Sequence, residues 1–173
     1  MKKNGIMNIL VITSLLVPIG SAMAVPKPLI PVAKNPIVNI SLTAGITITS
    51  AMVQDNVDPL TKKAISDRLM LKVVNKSSKT ASGFEIFYTM RDSFTKASES
   101  YYQKLTGFNV KAKTTSYLYF DNLAGAGHFP ENKFSIYRSS TNEVKFAIIL
   151  SAKGFKVATA SAVKDKGTGE KVD

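Results

Sequence analysis

Apolar and polar residues alternate one for one along much of this chain, and a period of two dictates extended strands with one buried face. From Val38 the even positions are apolar (Val38, Ile40, Leu42, Ala44, Ile46, Ile48), with Asn39, Ser41, Thr43, Thr47 and Thr49 between them. This predicts a strand, bent near Gly45. The same alternation places Leu69, Leu71 and Val73 on one face of Arg68–Asn75, and Phe84, Ile86, Tyr88 and Met90 on one face of FEIFYTMRD. Within Glu143–Ala152 it aligns Val144, Phe146, Ile148 and Leu150. Further strands are expected at Ser98–Gln103, Thr114–Asp121, Phe134–Arg138 and Phe155–Val163. Leu105 and Phe108 should point inward around a turn at Gly107.

Punctuation fits the same picture. NKSSKTASG, the KAK at 111–113 and Gly154 are turn signals, and residues 54–68, with an Asp-Pro step, predict a loop with a short helical turn. No stretch of ten residues carries helical periodicity. About seven to nine short strands at this spacing predict an all-β chain, an antiparallel immunoglobulin-like β-sandwich. A transmembrane barrel would need longer strands and aromatic girdles.

Residues 1–24, MKKNGIMNILVITSLLVPIGSAMA, read as a cleaved export signal. Lys2 and Lys3 open it, an apolar stretch runs from Ile6 to Val17, and Ala22-Met23-Ala24 marks the cut. The apolar run is too short for a spanning helix, which takes roughly 20 residues. Cleavage leaves 149 residues with a formal charge of +9, against +11 for the full chain. Residues 25–36 hold four prolines and read as an extended leader, 37–163 as the sandwich domain, and 164–173 as a charged flexible tail. The destination is the periplasm or the exterior, with no transmembrane segment after cleavage and a monomeric state expected.

LKVVNKSSKTASGFEIFYTMRD at 71–92, followed by a strand entering from a basic turn in KAKTTSYLYFDN, resembles the bacterial FxLYD-type and related immunoglobulin-like extracellular domains over roughly residues 68–122. More loosely, the whole chain looks like small exoproteins sent out by type II secretion. The first resemblance implies a binding or scaffolding module and carries over no catalytic residues. Comparison with fimbrial subunits is less favourable: the leader is Pro-rich and the C-terminus lacks an aromatic strand, although residues 38–48 have the pattern of a donor strand.

The chain has no Cys and one His. That excludes disulfide scaffolds, thiolate metal sites and thiol nucleophiles, and disfavours His-based chemistry. No cofactor is expected. The cation excess is almost all Lys, with only Arg68, Arg91 and Arg138 as Arg. Such a field favours anionic surfaces, a lipid headgroup layer or a polysaccharide, over sequence-specific nucleic acid, whose readout prefers Arg. Solubility alone also accounts for excess Lys.

His128 lies in the Gly-rich loop 122–132 (NLAGAGHFPEN), near Asp121 and Glu131, with Ser135, Ser139 and Ser140 following. No nucleophile motif surrounds it, and Gly125 and Gly127 precede a strand rather than a helix, so the loop is no phosphate cradle. Local packing of His128 is the competing reading. Asp55, Asn56 and Asp58 could hold a hard cation but lack calcium-loop spacing, and an Asx turn before Pro59 accounts for them. Tyr101, Tyr102, Tyr117, Tyr119 and Tyr137 sit beside Lys104, Lys111, Lys113 and Arg138. If Leu118 and Phe120 point inward, Tyr117 and Tyr119 point outward as an aromatic pair suited to binding; the alternative is ordinary cross-strand packing.

The expected function is therefore an exported, non-catalytic binding module that recognises an anionic surface or a host or envelope protein. Tyr117, Tyr119, Lys111, Lys113, Arg138 and His128 are its candidate ligand-binding residues, with no catalytic or metal-binding ones. The alternative is a structural subunit or assembly factor of a surface appendage or envelope complex.

Overall fold

The computed structural model describes residues 29–57, 61 and 64–167. The export signal, Pro59, the side chains of Asp55, Asn56 and Asp58, the first four leader residues and the tail beyond 167 lie outside the described residues. The elements are β1 (Ile46–Val57), β2 (Ala64–Asn75), β3 (Glu85–Asp92), β4 (Ser98–Lys104), β5 (Thr115–Phe120), β6 (His128–Phe129), a single helical turn α1 (Ile136–Ser139), β7 (Val144–Ser151) and β8 (Ala158–Lys164).

They form two four-stranded sheets, ordered β1-β2-β5-β6 and β4-β3-β7-β8. The β1–β2 hairpin opens the first sheet, and residues 76–84 carry the chain across to the β3–β4 hairpin of the second. Residues 105–114 bring it back beside β2 as β5, and the chain then crosses again to place β7 against β3. Thus β2–β5 and β3–β7 are the central antiparallel pairs, joined by connections between sheets, which is immunoglobulin-like sandwich wiring. Among the described residues, only the two-residue β6 pairs parallel, with β5.

The alternation explains the core. Leu69, Leu71 and Val73 of β2 and Leu118 and Phe120 of β5 face Ile86, Tyr88 and Met90 of β3 and Phe146, Ile148 and Leu150 of β7, all buried. Each such side chain contributes about 1.5–3 kcal/mol when removed from water. Tyr88 is central, its ring centroid 5.6 Å from that of Tyr101, 5.9 Å from Phe120 and 6.4 Å from Phe146. Burial pushes its hydroxyl pKa far up, so the group stays neutral. The unassigned face of Ser98–Gln103 is now defined: Tyr101 points inward.

Three expectations are corrected. Residues 38–44 form no strand; strand pairing begins at Ile46, and the segment before it is extended with Val38, Ile40 and Leu42 turned to solvent. Its inward groups are polar: the Asn39 amide donates to Ser151 Oγ (2.8 Å) and to the Phe155 carbonyl (2.9 Å). Within the expected loop at 54–68, pairing of β1 with β2 continues instead, with Asn56 opposite Ile65 and Val57 opposite Ala64; residues 58–60, 62 and 63 lie outside the described residues. The expected strand at 134–138 is a turn of helix: Ser139 and Ser140 N–H groups donate to the carbonyls of Ser135 and Ile136, Tyr137 is buried and Phe134 is exposed. The leader is also tied to the sandwich, since Leu29 packs on the core and the Val32 N–H donates to the Ser100 carbonyl at 2.8 Å, capping part of the β4 edge.

Candidate functional site

With Leu118 and Phe120 of β5 committed to the core, Tyr117 and Tyr119 stand on the outer face of the first sheet, as the alternation demands. Tyr117 is 43 % exposed. The two rings are near-parallel, centroids 6.2 Å apart at 12°. Register extends the patch sideways: Tyr119 is flanked by Met70 of β2 and His128 of β6, Met52 of β1 lies beyond Met70, and Lys72 sits opposite Tyr117. Met70 is buried although it points outward, so its neighbours on this face cover it.

A buried carboxylate organises the patch. Asp121, just past β5, lies 2.9 and 3.0 Å from His128 Nδ1 through its two oxygens, and 3.4 Å from Arg68 Nη1; it also accepts the Leu123 N–H at 3.1 Å. An ionised carboxylate only accepts, so Nδ1 of His128 carries the proton. The imidazole ring stacks on Tyr119, centroids 4.9 Å apart. From β2, on the other side of β5, the Arg68 guanidinium lies 4.3 Å from the same ring, and its Nε donates to Gln54 Oε1 at 3.2 Å. Asp121 thus fixes a ladder of Arg68, Tyr119 and His128.

The loop glycines make the approach of β6 possible. The Tyr119 N–H donates to the Gly127 carbonyl at 2.8 Å, and a Cβ on Gly127 would stand 2.5 Å from the Tyr117 carbonyl oxygen. Gly127 also has φ of +83°, in the region that favours glycine. Beside the ladder runs a groove of about 560 Å³, bounded by Tyr117, Tyr119 and His128 on one side and by Thr106, Phe108 and Asn109 on the other. Its walls are aromatic and uncharged polar, a surface for ring stacking with hydrogen bonding at the edges.

Of the expected ligand-binding residues, Tyr117, Tyr119 and His128 come together. Lys111 and Lys113 are exposed on the turn leading into β5, with Lys113 Nζ donating to the Lys76 carbonyl. Arg138 does not join them. Its side chain is only 8 % exposed, paired with Glu131, bonded to the Asp67 carbonyl and laid over the Tyr137 ring at 4.6 Å. Burial raises the Glu131 pKa, opposed by Arg138 and by the Tyr137 hydroxyl, which donates to it at 2.7 Å. Tyr101 and Tyr137 belong to the core, and Tyr102 donates to Glu85.

Sequence reasoning missed Arg68, Lys72 and the role of Asp121 as clamp. The signal for Arg68 was a cation at the start of a strand, but only the β2–β5 register brings it to Tyr119. Of the serines considered near His128, Ser139 Oγ donates to the Ser135 carbonyl and Ser140 Oγ to Asp92, while Ser135 Oγ is buried with no hydrogen-bond partner among the described residues. Among the described residues, no group of three or more acidic or His side chains is arranged for a metal ion, and no helix is long and apolar enough to cross a membrane. No protein-family model matches the sequence, and no curated protein is similar to it at a significant level.

Proposed function

We propose that this protein is an exported, non-catalytic binding module that takes an acidic polysaccharide in the groove beside Tyr117, Tyr119 and His128. The observation that carries this reading is the pre-ordered aromatic ladder on an outer sheet face. The exposed Tyr117 ring offers an apolar face to a sugar ring, and the parallel Tyr119 ring beside it, clamped between Arg68 and His128, keeps the ladder rigid so that little side-chain entropy is left to lose. Thr106, Asn109 and Ser116 supply hydrogen-bonding groups around them. Charge comes from the margin: Lys72 opposite Tyr117, and Lys111 and Lys113 on the turn before β5. Together they attract an anionic polymer, while the groove itself selects by shape and stacking.

Electrophoresis of the purified protein through gels containing alginate or dextran tests this reading. Retardation by alginate that persists at roughly 0.15 M salt and weakens at least about tenfold in Tyr117→Ala supports it. Tyr117 is half out of the sheet, so the substitution should leave the melting temperature nearly unchanged. Equal retardation of wild type and variant, vanishing with salt, would reduce the interaction to diffuse charge. A protein captured at the same face in place of any polysaccharide would redirect the reading to a protein partner.

A further inference from the structure

One pole of the sandwich combines positive charge with protruding aliphatic chains. The segment 37–45 and the connections 76–84, 105–114 and 152–157 meet there. The Lys76 N–H donates to the Gly45 carbonyl (2.7 Å), the Lys156 N–H to the Thr43 carbonyl (2.7 Å), the Lys153 N–H to the Ser82 carbonyl (3.0 Å), and Ala81 and Val110 exchange a pair of bonds. These four segments hold Lys76, Lys79, Lys111, Lys113, Lys153 and Lys156, all exposed, and not one Asp or Glu. Glu85, at the start of β3, is the carboxylate bordering this pole and stands opposite Lys104, whereas Asp92, Asp121, Glu131 and Glu143 lie in or beside the loops of the other pole. The charge excess is therefore polarised along the molecule.

On the basic pole, Val38, Ile40 and Leu42 are 90, 92 and 86 % exposed. Their orientation is enforced, because the Asn39 amide between them is spent on Ser151 Oγ and on the Ala152 and Phe155 carbonyls, and its Oδ1 accepts the Ser41 N–H. Three aliphatic side chains held out in a row on an anchored strap gain nothing from water. A nucleic acid would stack on aromatic rings, which this stripe lacks. A bilayer interface satisfies both features, since lysines meet anionic headgroups while short aliphatic chains bury below them.

We propose that this pole docks on an anionic lipid bilayer, with Val38, Ile40 and Leu42 inserted at the headgroup boundary and the six lysines set against the lipid phosphates. The pole shares the 105–114 connection with the aromatic groove but is probed at residues outside it, Val38, Ile40, Leu42, Lys153 and Lys156, and the proposal stands whether or not that groove takes a polysaccharide.

The test is co-sedimentation of the purified protein with vesicles of phosphatidylcholine alone or with phosphatidylglycerol added. Wild type is compared with Val38→Ser/Ile40→Ser/Leu42→Ser and with Lys153→Glu/Lys156→Glu. All three proteins carry the same N-terminal segment, so differences report the pole. The expected result is binding to the anionic vesicles only, lowered about tenfold or more by either set of substitutions, with unchanged melting temperatures. Failure of the wild type to bind anionic vesicles would overturn the proposal, as would equal binding to neutral ones or indifference to both sets. Sedimentation velocity without lipid supplies the other occupant: a wild-type dimer abolished by the triple serine variant would assign the stripe to a second copy and also overturn it.

Discussion

Gly127 shows how much of the candidate site hangs on a single residue. Its missing side chain lets β6 approach β5 closely enough for the Gly127 carbonyl to take the Tyr119 N–H. Gly127→Ala would force a methyl group against the Tyr117 carbonyl and strain a backbone already at positive φ. We expect a loss of about 2 kcal/mol in urea unfolding, together with loss of alginate retardation as His128 leaves Tyr119. Full stability with intact retardation would show that the close approach is dispensable. Asn75 is the matching residue at the basic pole. It is fully buried, donates to the Lys79 carbonyl (2.7 Å) and the Val110 carbonyl (2.9 Å), and accepts from the Ser77 N–H and hydroxyl. Asn75→Ala orphans these groups together, and a cost of about 3 kcal/mol is expected from the urea midpoint; a loss below about 1 kcal/mol would mean that water replaces the amide.

Elements differ in how openly the sequence declares them. β2, β3 and β7 were legible because each has one face in the core, so the period of two and the burial coincide. The segment 38–44 has the same period with the opposite outcome. Alternation reveals that two faces differ, not which one meets the core, and here the Asn39 amide finds three acceptors on the inner side while the aliphatic chains are left outside. At 134–138 the pattern misled for another reason. One buried residue, Tyr137, is placed by its hydroxyl on Glu131 and by its edge-on packing against Phe146, which a single helical turn achieves. In β5 the inward Leu118 and Phe120 correctly implied an outward tyrosine pair, whereas the contribution of Arg68 depended on a strand register that no local pattern encodes.

The turn after β3 and the segment after α1 are joined through Asp92, which accepts the Phe94 and Thr95 N–H groups, the Ser140 hydroxyl and the Asn142 amide. These donors, the Ser140 hydroxyl foremost, hold its carboxyl well below the usual carboxylate range. The stabilisation is present above the unfolded-state value, about 3.9, and is lost progressively as pH falls below it toward the native one. Urea midpoints measured from about pH 6 down to about pH 2 should fall steeply for wild type and less so for Asp92→Asn. Parallel curves would remove Asp92 from the acid response.

Across the whole molecule, the sandwich separates two kinds of surface. The outer face of the first sheet carries a rigid aromatic ladder beside a groove, and one pole gathers six lysines on connections that hold no Asp or Glu. The +11 charge was visible in composition, but its polarisation was not, because the six lysines come from three connections that only the sheet wiring gathers. That separation makes the two proposed partners distinguishable by position. The most direct measurement is therefore the map of backbone amide shifts in an NMR titration of the protein with an alginate oligosaccharide at roughly 0.15 M salt. The expected map is centred on residues 106–109, 116, 117, 119 and 125–129, which line the groove. Shifts confined to the connections 76–84 and 152–157, or absent altogether, would contradict a polysaccharide site beside Tyr117 and Tyr119.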